Sequence, residues 1–304
     1  MGGTHSATAA ISTWAAPFMM PAAFDYHAVD TVAEAADLLA KHGEDAKLLA
    51  GGQSLLAALK LRLAKPGILI DLGRLADLRE IAFADGLKIG AMVDKLGKSA
   101  ETTGAFQALR DAASDIGDPL IRNRGTFGGS LAHADPAGDW PALALAFEAT
   151  IHVTNKSGVR KLPVQTFFTN LFTTALMQED VLTHVELPQP VAGTSSAYVK
   201  IPHPASGYAV AGADVVLTLD GEGVCRRVRI ALTGVAATVF RAHEAEAMMT
   251  GRKLDPATIR AAADQAAASF DPLTDNYASA AYRRNLAGVV AHRAIMHGLK
   301  RTQS

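Results

Sequence analysis

Hydrophobic and polar positions follow two regimes along this chain. Up to about residue 190 short apolar runs alternate with helical stretches, and beyond it long alternating strands come first and helices follow. Near the start, an element begins at Phe24-Asp25-Tyr26. Thr31, with Glu34 three positions later, forms a capping box for a helix from Val32 to about His42. Lys47-Leu48-Leu49-Ala50 predicts a short strand and Ile68 to Leu72 a buried one. Between them, Ser54 is placed to cap a helix through Leu55, Leu56, Leu59 and Leu63 that ends before Pro66-Gly67. Leu87 to Gly90 alternates like an edge or half-buried strand, and Ala105 to Ala113 and Leu143 to Phe147 read as helices. Thr150 to Leu162 reads as a hairpin turning at Asn155-Lys156-Ser157-Gly158. Val181 to Leu187 is a further strand, and Pro188 to Ser196, with two prolines and a glycine, is the linker.

In the second regime Ala197 to Ile201, Asp214 to Leu219 and Val224 to Thr233 are strands. Phe240 to Met249, Pro256 to Ser269 and Ala278 to Leu299 are helices. Strands followed by helices predict an α+β domain with helices on one face of an antiparallel sheet. The chain therefore divides into an extension over 1–20, a domain over 21–190 with subdomains of about 21–75 and 76–190, and a C-terminal α+β domain over 195–304. Residues 1–20 carry an apolar patch from Trp14 to Met20 but no basic start, so they read as a disordered or surface-pinned extension and not as a secretory signal.

Composition removes several function classes. The 304 residues are 49% hydrophobic and 19% charged, and 29 Lys+Arg against 30 Asp+Glu leave a net charge of −1. That balance gives no reason to expect nucleic acid or an anionic membrane as partner. No apolar stretch reaches the roughly 18 residues that a membrane span needs. Cys225 is the only cysteine, which excludes an internal disulfide, an iron–sulfur cluster and a thiolate zinc site, and a chain without disulfides fits a reducing cytoplasm. The carboxylates show no paired spacing for glycosidase or metal chemistry, so no metal site is expected.

Candidate chemistry concentrates in two glycine-paired loops, Ala50-Gly51-Gly52-Gln53-Ser54 and Thr126-Phe127-Gly128-Gly129-Ser130. Glycine lets the backbone take φ > 0 and approach a ligand closely, and inward amides beside a helix start form a nest for anionic oxygens. Two such loops suit a ligand with two adjacent phosphates. Neither a Gly-x-x-x-x-Gly-Lys-Ser/Thr loop nor a Gly-x-Gly-x-x-Gly opening a βαβ unit is present, which excludes a P-loop hydrolase and argues against a Rossmann domain. What remains is a dinucleotide held between separate loops, with Asp139 available to accept from a ribityl or ribose hydroxyl. On residue type alone, Asp139 reads equally as a helix cap before Trp140-Pro141, Lys200 as a solvated strand lysine and His133 as a structural histidine.

Leu48 to Leu55 and Ile121-Arg122-Asn123-Arg124-Gly125-Thr126-Phe127-Gly128-Gly129-Ser130 resemble the medium, FAD-binding subunit of molybdenum hydroxylases, the family of the carbon monoxide dehydrogenase flavoprotein and the xanthine dehydrogenase flavin domain. His133 to Pro141, Ala197-Tyr198-Val199-Lys200 and Ser279 to Arg284 continue the likeness, which runs from about Pro21 to Leu299. The resemblance implies a vanillyl-alcohol-oxidase-type fold, two α+β subdomains clasping FAD and a separate C-terminal domain. It implies that Leu48, Leu49, Ala50, Gly51, Gly52, Gln53, Ser54 and Leu55 wrap the pyrophosphate and adjoining ribose, and that Ile116 packs near the cofactor. Thr126, Gly128, Gly129 and Ser130 would close the second side, Asp139 would take a hydroxyl, Leu182 would cover part of the flavin or adenine, and Lys200 would sit near the ring. A cation there would stabilise the negative charge of reduced flavin. Ala57 stands where the family often has proline, and Ser130 where Asn or Asp is frequent; neither change removes a backbone amide.

The resemblance further implies an electron-transfer subunit of a cytoplasmic heterotrimer, or a dimer of heterotrimers. A large partner would hold the molybdenum cofactor and a small one the 2Fe–2S clusters, electrons passing through this FAD to an external acceptor. No catalytic residue is assigned in this chain. Two other readings stay open at this point: a self-contained FAD oxidase or reductase, and a non-catalytic assembly subunit with a decayed flavin site. Tyr282, Arg283 and Arg284 suggest a subunit or interdomain contact, or plain surface charge.

Overall fold

The computed structural model describes residues 20–302, so the extension read over 1–20 lies, but for Met20, outside the described residues. The first layer is a three-stranded parallel sheet, order β1-β3-β2, of β1 (Asp25–Ala28), β2 (Ala46–Leu49) and β3 (Ile68–Asp71). Helix α1 (Val32–His42) connects β1 to β2 and buries Ala35, Ala36 and Leu39. Its start follows the capping box, since the Glu34 N–H donates to Thr31 Oγ1 at 3.1 Å. The returning carboxylate accepts from the Asp30 N–H at 3.0 Å, one residue before the cap. Helix α2 (Leu55–Lys60) is shorter than its apolar spacing predicts. Arg62 is left-handed at φ 57°, and the N–H groups of Leu63 and Ala64 both fold back onto Ala58 O, a C-terminal lock that leaves Leu61 and Leu63 exposed. Ser54 already has helical dihedrals and makes no side-chain cap.

The second layer is a five-stranded antiparallel sheet of β4 (Ile81–Phe83), β5 (Gly86–Gly90), β6 (Thr150–Asn155), β7 (Gly158–Pro163) and β10 (Val181–Pro188), with a small hairpin of β8 (Phe168–Asn170) and β9 (Thr173–Thr174) beside it. The order β4-β5-β10-β6-β7 makes β5 an internal strand and not an edge. Its alternation nonetheless holds, with Leu87 and Ile89 buried and Lys88 exposed. Against the apolar face pack α3 (Gln107–Asp115), α5 (Phe127–His133) and α6 (Asp139–Ala146), and the one-turn helix α4 (Pro119–Arg122) leads into the second glycine loop.

The C-terminal sheet comprises β11 (Thr194–Pro202), β12 (Ala209–Leu219), β13 (Cys225–Thr233) and β14 (Phe240–Arg241), all antiparallel in that order. Helices α7 (His243–Met249), α8 (Pro256–Ala268) and α9 (Ala280–Arg301) cover one face as the sequence predicts, although Phe240-Arg241 belongs to a strand and not to the helix. The other face is covered too: Tyr198, Val216 and Ala231 join the core around α3 and α6. The sheet is thus sandwiched between its own helices and the second layer.

Arg283 and Arg284 turn out to be internal clamps. Arg283 is buried, and its guanidinium donates to Val210 O and Gly234 O and pairs with Asp275. Arg284 donates to Ala267 O and Phe270 O and lies 5.4 Å over the Phe270 ring. A five-donor planar group suits this bridging of carbonyls, and it corrects the subunit-contact reading for both. Tyr282 remains exposed.

Candidate functional site

The parallel sheet dictates where a ligand fits. Ala50 to Ser54 leaves the carboxyl end of β2, the end at which open α/β sheets bind ligands. There a cavity of about 570 Å³ opens between the first and second layers. Of the residues the sequence assigned to the cofactor, all line this cavity except Leu49 and Lys200. Leu49 instead sits against Gly52, where a Cβ would meet its Cδ1 at 3.1 Å.

The two glycine loops differ in kind. In the first, Gly52 has φ 78°, and no hydrogen bond among the described residues uses the N–H groups of Gly51, Gly52, Gln53 or Ser54. Four consecutive unpaired donors at one side of a cavity are a preformed anion nest. In the second, Phe127 N–H donates to Val93 O, Gly128 N–H to Ala91 O, Gly129 N–H to Thr126 Oγ1 and Ser130 N–H to Thr126 O. Thr126 is the N-cap of α5, and that helix consumes the donors. The second loop is therefore a strut and not a second nest, which corrects the expectation that both loops present free amides.

Its glycines answer to packing. A Cβ on Gly128 would lie 2.6 Å from Ala91 Cβ, and one on Gly129 would lie 2.5 Å from Thr126 Oγ1. Gly51 joins the two loops directly, because a Cβ there would fall 1.5 Å from Arg124 O. Only a glycine at 51 lets the backbone of the nest rest on the carbonyl of the segment entering the strut.

Asp139, the first residue of α6, stands at the far wall. Its Oδ1 accepts from the Tyr198 hydroxyl at 2.5 Å and pairs with Lys200 Nζ at 2.9 Å. Oδ2 has no partner among the described residues, which leaves one acceptor for a ligand hydroxyl. Burial pushes the Asp139 carboxyl up, while the Lys200 ammonium and the Tyr198 hydroxyl pull it back. Burial, with the Asp139 charge beside it, raises the Tyr198 phenol well above its ordinary value, so it stays a donor. Lys200 also donates to Gly207 O at 3.0 Å, and its side chain is 1% exposed. It lies behind the cavity wall and not on it, and its charge is compensated by Asp139.

Sequence reasoning missed the walls contributed by two loops. Ser206, Gly207 and Tyr208 come from the C-terminal domain between β11 and β12, and Thr174 to Gln178 precede β10. Gln178 Nε2 donates to Gly43 O at 2.8 Å, tying its loop to the end of α1. The half-exposed Tyr208 was the one available signal, a large aromatic in a polar loop; burial raises its phenol. His133 lines the cavity against the Phe172 ring at 5.2 Å. Cys225 is buried, and burial pushes its thiol up to about 11, so it is an inert core thiol.

An anion nest, a buried hydroxyl acceptor and a cavity between two α+β layers define a site for a dinucleotide. Comparison with known proteins makes this specific. Residues 22–190 match the model of the FAD binding domain in molybdopterin dehydrogenase, and residues 196–297 match the CO dehydrogenase flavoprotein C-terminal domain. The carbon monoxide dehydrogenase medium chain of Hydrogenophaga pseudoflava is 39% identical over 280 residues, 91% of this chain and 97% of that one. The 6-hydroxypseudooxynicotine dehydrogenase complex subunit alpha of Paenarthrobacter nicotinovorans is 36% identical over 288 residues, 94% of this chain and 97% of that one. Among solved structures, a chain of H. pseudoflava carbon monoxide dehydrogenase superposes with TM-score 0.89 at 40% identity, covering 93% of this chain and 99% of that one. A chain of quinoline 2-oxidoreductase from Pseudomonas putida 86 superposes with TM-score 0.87 at 31% identity, covering 94% and 100%. The chain belongs to the family of FAD-binding medium subunits of molybdenum-dependent dehydrogenases, a family of oxidoreductases whose cofactor here is FAD. Among the described residues no helix is long and apolar enough to cross a membrane.

Proposed function

We propose that this chain is the electron-transfer subunit of a heterotrimeric molybdenum hydroxylase, or of a dimer of such heterotrimers, in the cytoplasm. A large partner would hold the molybdenum cofactor and hydroxylate the substrate, and a small partner would carry 2Fe–2S clusters. FAD, when bound, supplies the ability to take electrons singly and pass them on in pairs to an external acceptor. The observation that carries the reading is the pairing of an open dinucleotide cavity with a single, buried cysteine. The chain has a place for the flavin and no ligand set for clusters.

The residues divide the work of holding the cofactor. Gly51, Gly52, Gln53 and Ser54 would receive the pyrophosphate on their unpaired N–H groups, and Asp139 Oδ2 a ribityl or ribose hydroxyl. Leu48, Ala50, Leu55, Ile116 and Leu182 supply apolar wall, while Thr126, Gly128, Gly129 and Ser130 hold the opposite side rigid. Leu49 and Lys200 support the nest and Asp139 from behind.

No histidine or cysteine lies within either loop, and the one histidine lining the cavity, His133, packs against the Phe172 ring, so the flavin is expected to be held without a covalent bond. Acid precipitation of the purified chain is expected to release all of its yellow colour, as a compound with the mass of FAD. The isolated chain should take electrons from dithionite and show no turnover of the organic substrate that the whole complex hydroxylates. Substrate-dependent bleaching by the isolated chain would favour the self-contained oxidase, and a chain that stays colourless after incubation with FAD would favour the decayed assembly subunit.

A further inference from the structure

The outer face of the five-stranded sheet, away from the core around α3 and α6, carries a cluster that electron transfer does not use. His184 on β10 stands directly opposite His152 on β6, and Glu186 follows two positions later on β10. The period-two pleat puts all three on one face. His152 Nε2 lies 2.8 Å from Glu186 Oε2, and His184 Nε2 lies 3.6 Å from Glu186 Oε1. We propose that His152, His184 and Glu186 form a binding site for one divalent ion of the zinc class.

The tautomer of His184 supplies an independent reason. The Thr183 hydroxyl has one proton and donates it to His152 O at 3.2 Å. Toward His184 Nδ1, also 3.2 Å away, it is then an acceptor, so Nδ1 carries the ring proton. Nε2 of His184 is left as a lone pair 3.6 Å from Glu186 Oε1, so a cation placed between them would be held by both. A hydroxyl that fixes the tautomer of a ligating imidazole is the usual outer support of a metal site.

The spacing also fits. Bonds of about 2.0–2.1 Å around a tetrahedral ion place ligand atoms roughly 3.3 Å apart, and the carboxylate reaches each imidazole near that distance through a different oxygen, Oε2 at 2.8 Å from His152 and Oε1 at 3.6 Å from His184. All three ligand atoms lie within 4.8 Å of one another, and turning one imidazole out of the His152–His184 stack, whose centroids are 4.0 Å apart, would bring both lone pairs onto one ion. The side chains are 5%, 20% and 45% exposed for His152, His184 and Glu186, which gives the ion two anchored ligands and a path from solvent. Lys88 and Lys161 stand opposite Glu186 and His152 on the neighbouring strands, yet neither makes an ion pair with Glu186 among the described residues. Two imidazoles and a carboxylate suit zinc, and a fourth position stays open to water. A bound ion would tie β6 to β10 beside the register shift between Leu182 and His184, on the strand that delivers Leu182 to the cavity.

The test uses the flavin-loaded chain without a histidine tag, stripped by a chelator and titrated with zinc chloride in a calorimeter. One equivalent is expected to bind and to raise the thermal midpoint, since a ligand of the native state stabilises it. His184→Gln and Glu186→Gln should weaken binding by about tenfold or more, a loss that even outer-support substitutions reach, with flavin content unchanged. If either variant loses flavin, Thr183→Val provides the second arm and should weaken zinc by about tenfold through the tautomer alone. Failure of the wild-type chain to bind zinc overturns the proposal, as does unchanged zinc affinity in the variants that keep their flavin.

Discussion

Replacing Gly51 by alanine is expected to leave a folded chain that has lost most of its affinity for FAD. The new Cβ would stand 1.5 Å from Arg124 O, a backbone atom that cannot rotate away. The nest must then lift off the strut, and the four unpaired donors of Gly51 to Ser54 lose their common focus. Overpacking of this kind costs about 1–3 kcal/mol, which at 1.4 kcal/mol per decade is a roughly fivefold to hundredfold weaker complex. Titrating flavin fluorescence with the stripped protein measures it. Gly221→Ala is the control, because a Cβ there meets open space. Equal affinity in the two variants would mean that the close approach of the loops is irrelevant to binding.

Replacing Lys200 by methionine is expected to be the most destabilising single change at the site. The ammonium is buried, pairs with Asp139 at 2.9 Å and donates to Gly207 O. Removing it strands a buried carboxylate, a loss of about 3–5 kcal/mol. Chemical denaturation should show that loss, and the double variant Asp139→Leu with Lys200→Met should recover a large part of it, because partners in one ion pair are coupled. A single variant as stable as the parent would mean that the pair is solvated and carries no load. In the structure Lys200 is neutralised by Asp139, whose carboxylate lines the cavity while the ammonium lies behind it.

Local chemistry was legible where neighbours in sequence decide it. Thr31 and Glu34 cap α1 because the capping box lies within four residues, and the β6–β7 hairpin turns where Asn155 to Gly158 predicts. The cavity-lining loops were legible because glycine pairs are rare and positional. What the sequence left hidden depends on distant partners. Ser54 looks like a cap but is already helical. The second loop looks like a nest, yet the carbonyls of Val93 and Ala91, in the segment that follows β5, take two of its donors. Ser206 to Tyr208 reach the cavity only because the C-terminal sheet packs on α3 and α6. His152 and His184 meet only through strand register, so no spacing along the chain could announce them.

The central claim is that the first glycine loop alone is the anion cradle and the second its support. A crystal structure of the FAD-loaded chain tests this most directly. The pyrophosphate oxygens are expected within hydrogen-bonding distance of the N–H groups of Gly51, Gly52, Gln53 and Ser54, with Gly128 and Gly129 still bonded to Ala91 and Thr126. A pyrophosphate seated on the Gly128 and Gly129 amides, with the first loop untouched, would contradict the account.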